Sequence, residues 1–205
     1  MPLSEPLIQS SNPIYELSSI IRPIDLADAF PVPQPLEVEL GSGDGSFLAS
    51  LAAQIPQHNF IGVERLLGRI RKMARKATRA GLRNLRGVRI ESSYFLEYLL
   101  PLSSVTALHI YFPDPWPKRK HHHHRLINER FPALAEKVLV PRGRVYLRTD
   151  DSDYFSQMRD VFAHAPRFNQ IDTAPELVAI LTDFERDFTA RGIRTLRAGF
   201  EFCPQ

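Results

Sequence analysis

The sequence predicts an α/β fold: a doubly wound, mostly parallel sheet with an antiparallel C-terminal edge. Three features carry this expectation. Short apolar runs alternate with helical stretches from Leu36 onward, the first run ends in a glycine-rich turn, and two more apolar runs flank a helical segment near the C-terminus. Alternating strand and helix imply right-handed crossovers and parallel strands covered on both faces. A terminal strand pair commonly supplies an antiparallel edge to such a sheet. The length agrees, since 205 residues make one domain of ordinary size, able to bury roughly 70% of its unfolded surface.

Residues 1–35 contain seven of the seventeen prolines and show no sustained periodicity. They read as an irregular, proline-rich arm that packs on the main domain or stays mobile, with the domain proper spanning 36–205. Strands are expected at Leu36–Leu40, Phe60–Val63, Val88–Ile90, Val105–Phe112, Val145–Thr149, Arg167–Ile171 and Ile193–Phe202. Helices are expected at Phe47–Ile55, Arg65–Ala80, Tyr94–Leu99, His122–Val138, Ser152–Ala165 and about Pro175–Ala190. In the Arg65 helix, Leu66, Ile70, Met73 and Ala77 recur at helical spacing as a buried stripe, with the basic residues mostly off it.

Composition narrows the class. With 43% hydrophobic and 24% charged residues, the chain is neither disordered, collagen-like nor a disulfide scaffold. Cys203 is the single cysteine, which excludes an intrachain disulfide and suits a reducing cytosol. The first thirty residues lack the basic start and apolar run of a secretory signal, and no stretch approaches the roughly 20 apolar residues of a membrane helix. The expectation is a cytoplasmic protein. Net charge is only +3, yet Arg65–Arg89 holds ten basic residues and no acid, and Lys118, Arg119, Lys120 and Arg125 form a second block. Two basic islands on an otherwise acidic chain point to a polyanionic partner.

Leu36-Glu37-Val38-Glu39-Leu40 runs directly into Gly41-Ser42-Gly43-Asp44-Gly45, followed by a helical stretch. Glycines in such a strand–turn–helix let the backbone approach a ligand closely. The spacing is not that of a dinucleotide fingerprint, because Ser46 stands where the third glycine belongs, and the Gly-Lys-Ser/Thr ending of a P-loop is absent. Glu64 ends the second strand some twenty residues past the loop, where a carboxylate can accept both hydroxyl hydrogens of an adenosine ribose. Glu39, just before the glycines, suits the cationic amino acid end of S-adenosylmethionine and would repel a phosphate. These acids favour a sulfonium cofactor over a nicotinamide dinucleotide. The run His121–His124 invites a metal reading, but consecutive helical side chains diverge by about 100°, leaving His121 and His124 on one face; no metal site is expected.

At the fourth strand, His109-Ile110-Tyr111-Phe112 leads into Pro113-Asp114-Pro115-Trp116-Pro117-Lys118-Arg119-Lys120-His121. This segment resembles the tRNA (guanine-N7)-methyltransferase family, whose members carry PDPWPK followed by basic residues and histidine. Thr182-Asp183-Phe184-Glu185 with Gly192 downstream, and Thr149-Asp150, resemble further family segments in the same order. The resemblance implies a class I fold of Rossmann type, S-adenosyl-L-methionine as cofactor, and methylation of N7 on a tRNA variable-loop guanine. By residue, it implies that Glu39, Gly41, Gly43 and Glu64 hold the cofactor. Ser92 falls near the adenine contact, with Glu91 beside it as the alternative. It further implies that Asp114 lies between cofactor and guanine, and that Lys118, Asp150 and Thr182 to Glu185 contact RNA or base. Relatives act as single chains, homodimers or with a β-propeller partner, and a compact chain without long insertions resembles the self-sufficient type.

Guanine N7 carries a lone pair and no proton at neutral pH, so no general base is needed and positioning dominates. Positive charge develops on the purine as methyl transfers, and a carboxylate such as Asp114 stabilises it. Two competing readings are another S-adenosylmethionine-dependent nucleic-acid methyltransferase and a catalytically silent RNA-binding module. The methylated atom separates the first, and loss of cofactor binding the second.

Overall fold

The computed structural model describes residues 12–204; the first eleven residues of the expected arm lie outside them. In chain order the elements are α1 (Leu26–Ala29), β1 (Leu36–Leu40), α2 (Ser46–Gln54), β2 (Asn59–Val63), α3 (Leu67–Arg79) and β3 (Leu85–Val88). There follow α4 (Ser92–Tyr94), continued as a π-helical turn over Phe95–Leu99, β4 (Val105–Tyr111), a 3₁₀ turn at Arg119–His124, α5 (Phe131–Val138) and β5 (Leu139–Thr149). The chain ends with α6 (Ser152–Ala163), β6 (Phe168–Ile171), α7 (Pro175–Ala179), α8 (Asp183–Ala190) and β7 (Leu196–Phe202).

The seven strands form one sheet in the order β3-β2-β1-β4-β5-β7-β6. β3 through β5 pair in parallel, and β7 pairs antiparallel with both β5 and β6. This is the doubly wound sheet with an antiparallel edge that the sequence predicts. Every residue of β1, β2 and β3 is buried, as expected of strands covered on both faces. One face packs α2, α3 and α7 through Phe47, Leu51, Ile70, Met73 and Leu177. The other packs α5, α6 and the π turn through Phe131, Met158, Phe162 and Phe95. Among the described residues, no helix is long and apolar enough to cross a membrane.

Residues 12–35, expected as an irregular arm, include the short helix α1 and pack on the rest of the chain. Tyr15 N donates to Gly87 O (2.9 Å) and Gly87 N to Pro13 O (2.7 Å), covering the β3 edge, while Ile24, Ala29 and Phe30 enter the core.

Several element boundaries differ from expectation, among them β5, which begins at Leu139 rather than Val145, and β7, which begins at Leu196 rather than Ile193; three of the differences have identifiable reasons. The third strand lies upstream of Val88–Ile90 because Arg86 is buried within it, its guanidinium 5.4 Å from the Phe30 ring centroid and bonded to the Arg83 and Leu85 carbonyls. A charged residue inside a strand conceals the apolar run. The expected helix from His122 begins only at Phe131, because Arg125 turns inward and Pro132 starts a new first turn. The expected helix 175–190 breaks at Ile180–Thr182, where Arg148 takes the Leu177 and Ile180 carbonyls and Thr182 caps a second helix.

Candidate active site

At the carboxyl ends of β1 and β4 lies a cavity of about 170 Å³, lined by Glu39, the glycine turn, Phe47, Tyr111, Phe112 and the segment Thr182–Phe184. The turn is shaped by Gly41 (φ 83°) and Gly43 (φ 56°), with the N–H groups of Gly41 and Ser42 both donating to Val63 O at 2.9 Å. Both glycines line the cavity, and apart from the immediate chain neighbours no atom of the described residues lies within 4 Å of where a Cβ would sit on either. The backbone is therefore open to a ligand at close range.

Glu39 is 3% exposed, and its Oε2 has no hydrogen-bond partner among the described residues. Burial pushes its carboxyl up to about 8, with Asp44 and Glu64 adding to the rise and Arg148 opposing it. An unpaired buried carboxylate is costly. A ligand ammonium would relieve that penalty, so Glu39 fits the amino acid end of the cofactor inferred from the sequence. Glu64, at the end of β2, is 7% exposed. Its Oε1 accepts from Leu66 N (2.8 Å) at the start of α3, and its Oε2 lies 3.5 Å from Arg69 Nη1. The carboxylate does not itself line the cavity; it pairs with Arg69, which does, and braces the next helix.

The cavity's outer wall is held by a fully buried arginine. Arg148 Nη1 donates to Glu185 Oε2 (2.7 Å) and Ile180 O (2.9 Å), and Nη2 donates to Leu177 O. Its guanidinium carbon sits 4.1 Å from the Tyr111 ring centroid and 5.2 Å from that of Phe47. Glu185 Oε1 accepts from Arg197 Nη2 (2.6 Å), and the Thr182 hydroxyl and Glu185 carboxylate complete a reciprocal capping box at α8. Burial would raise the Glu185 carboxyl, but the Thr182 N–H and the two arginines hold it below its ordinary value. A second tether crosses to the glycine loop, where the Ser46 hydroxyl lies 3.1 Å from Asp183 Oδ2 and 2.8 Å from Asp44 Oδ1. Lys76 Nζ reaches Asp44 Oδ2 at 2.5 Å.

A second cavity, of about 390 Å³, lies beside the loop after β4 and includes Glu91, Ser93, Trp116, His124 and Arg125 in its lining. Phe112 (φ 51°) and Trp116 (φ 45°) are both left-handed, a strained conformation that persists only when the surroundings over-determine it. Asp114 is exposed and accepts from Trp116 N (3.2 Å). Arg125, 1% exposed, secures the loop: Nε donates to Pro115 O, Nη1 to Gln157 Oε1 and Nη2 to Asp153 Oδ2, each at 2.7 Å. Trp116 rests against His124 and His121, with ring centroids 4.7 and 5.8 Å apart. In a 3₁₀ turn residues i and i+3 eclipse, which brings these two histidines to the same ring. Among the described residues, no group of three or more His, Cys, Asp and Glu side chains is placed to hold a metal.

The structure thus gathers Glu39, Gly41, Gly43, Thr182, Asp183 and Phe184 around one cavity. Ser92, at the start of α4, lines neither cavity; Glu91 lines the second and caps that helix by accepting from Ser93 N (3.0 Å) and Tyr94 N (2.8 Å). Lys118 and Asp150 are exposed beyond both cavities. Glu185 is fully buried and committed to arginines. Sequence reasoning missed Arg148 and assigned Arg125 to a phosphate-facing basic block.

The chain is similar to known methyltransferases. Residues 33–201 match a family profile described as "Putative methyltransferase". The chain is 33% identical over 201 residues to a tRNA (guanine-N(7)-)-methyltransferase of Syntrophotalea carbinolica, covering 93% of this chain and 84% of that one. It is 39% identical over 141 residues to the enzyme of that name from Chromohalobacter salexigens, covering 69% of this chain and 56% of that relative. Among solved structures, the 16S rRNA methyltransferase KamB superposes with a TM-score of 0.64 at 18% identity, over 87% of this chain and 93% of that one; at that identity the likeness is one of fold.

Two outcomes follow from the site. Because the folded Glu39 carboxyl lies above its unfolded value of 4.5, its stabilising contribution is complete below that pH and is lost as pH rises to about 8. Without ligand, wild type should lose roughly 5–10 °C of melting temperature between pH 6 and 9 relative to Glu39→Gln; parallel curves would contradict the burial argument. Second, Arg125→Met should free the loop that carries the single tryptophan. Acrylamide quenching of Trp116 should rise severalfold with the far-ultraviolet circular dichroism unchanged, and unaltered quenching would show that Arg125 does not hold the loop.

Proposed function

The chain belongs to the tRNA (guanine-N7)-methyltransferase family, and we propose that it transfers the methyl group of S-adenosyl-L-methionine to N7 of a tRNA guanine, with the variable-loop guanine at position 46 as target. The observation that carries this reading is the buried Glu39 carboxyl, whose Oε2 has no hydrogen-bond partner among the described residues, beside a glycine turn open to a ligand. Glu39 holds the cofactor's ammonium, and Gly41 and Gly43 let the backbone lie against its amino acid portion. Glu64 takes the ribose hydroxyls, and Ser92 or the adjacent Glu91 meets the adenine. The bound cofactor supplies a methyl group activated by its sulfonium.

The protein's task is orientation. Asp114 accepts hydrogen bonds from the base edge and stabilises the positive charge that develops on the purine. Lys118 and Asp150 contact the RNA. Asp183 and Phe184 bound the space where base meets cofactor, while Glu185 acts through Thr182 and Arg148 and touches no substrate. A cytoplasmic setting suits this substrate.

The test incubates the protein with methyl-labelled S-adenosylmethionine and unmodified tRNA transcript, then maps N7-methylguanine by borohydride and aniline cleavage. The expected result is cleavage at the variable-loop guanine, with kcat/KM reduced about 100-fold or more in Asp114→Ala. Label at an exocyclic amine or ring carbon would replace the N7 reading, and absence of cofactor binding would replace the enzymatic one.

A further inference from the structure

We infer that the outer face of α3 is a second RNA-docking surface, along which the backbone of the tRNA runs while its target guanine occupies the active site. This rests on the tRNA reading above. Between Arg65 and Arg89 the sequence holds ten basic residues and no acid. The structure consumes only some of these charges. Arg69 pairs with Glu64, Lys76 with Asp44, and Arg86 is buried against Phe30. Arg71, Lys72, Arg75, Arg79 and Arg83 are exposed, and none forms an ion pair among the described residues.

Their arrangement suits a nucleic-acid strand. Ile70, Met73 and Ala77 turn α3 toward the sheet, and Arg71, Arg75 and Arg79 project from the opposite side at four-residue intervals. Four residues of helix rise about 6 Å, comparable to the spacing of successive phosphates on a strand. The row is continuous with the active site, because α3 follows directly on the carboxyl end of β2, where exposed Arg65 and Arg89 flank the cofactor acid Glu64. A lipid surface is a poorer occupant, since Ile70, Met73 and Ala77 are buried in the core and the expected fourth stripe residue, Leu66, caps the helix as a single exposed apolar side chain rather than an apolar face. Five unpaired cations in an acid-free stretch instead match a polyanion bound through counterion release.

The test compares wild type with an Arg71→Ala/Arg75→Ala/Arg79→Ala variant; alanine at exposed helical positions preserves α3. Binding of full-length tRNA transcript is followed by fluorescence anisotropy across a salt series, and methylation is assayed with the same transcript and with a short hairpin containing only the target loop. The variant should bind tRNA at least tenfold more weakly, with the slope of log affinity against log salt shallower by roughly 2–3. KM for full tRNA should rise with kcat unchanged, and the hairpin should be methylated equally by both proteins. Unchanged tRNA affinity and salt slope would overturn the proposal, as would equal losses on hairpin and tRNA. Because anisotropy reads binding without turnover, a protein that binds in this manner yet methylates no RNA would refute the catalytic reading and leave the docking surface standing.

Discussion

The candidate site depends on a buried guanidinium. Arg148, at the end of β5, has no solvent exposure, and its donors reach a carboxylate and two backbone carbonyls on the segment that follows β6. That segment is short of regular structure of its own, since α7 and α8 span only five and eight residues. Helices of that length are marginal alone. Their position over the glycine loop is set by Arg148 and by the capping box that shares its partner Glu185. Burying a charge costs heavily unless partners are supplied, and here two aromatic faces, a carboxylate and two carbonyls surround the one guanidinium, with Nε left without a hydrogen-bond partner among the described residues. The same cation also offsets part of the burial penalty on Glu39 across the cavity.

A second buried arginine repeats this arrangement on the neighbouring loop. Arg125 joins Pro115 O to the side chains of Gln157 and Asp153 on α6, and its guanidinium lies 4.7 Å from the Tyr154 ring centroid. The two loops that meet at the carboxyl edge of the sheet are thus each fixed by one arginine anchored in a regular part of the fold. A reaction that needs no proton abstraction depends on placing two reacting atoms in line, and rigid loops reduce the entropy lost on binding. Between the loops, Phe112 packs against Phe184 and Phe188, with centroids 5.9 and 5.5 Å apart, so the wall of one loop is also the wall of the other.

Much of this is legible in the sequence. The alternation of strands and helices, the glycine turn after the first strand and the acids flanking it are local patterns, and local patterns survive folding. The antiparallel C-terminal pair is readable for the same reason. Harder to read is which polar groups are consumed internally. Arg125 stands at the end of a basic run that reads as phosphate-facing, whereas it is 1% exposed and engaged by Pro115, Gln157 and Asp153. Glu185 sits in a motif associated with substrate, whereas it is the counterion of two arginines. Thr182 followed three residues later by Glu185 is a recognisable capping-box signal, and reading it that way would have located the helix start and the buried carboxylate together. For Arg148 no local signal exists, because its partners lie some thirty residues downstream.

The central claim is that Arg148 and Glu185 fix the segment that completes the cofactor cavity. It is tested most directly by calorimetric titration of S-adenosylmethionine into an Arg148→Met/Glu185→Leu variant, in which the buried ion pair is exchanged for apolar side chains so that the core remains filled. The account predicts a protein with native circular dichroism that binds the cofactor at least tenfold more weakly than wild type. Equal affinity in a folded variant would contradict it.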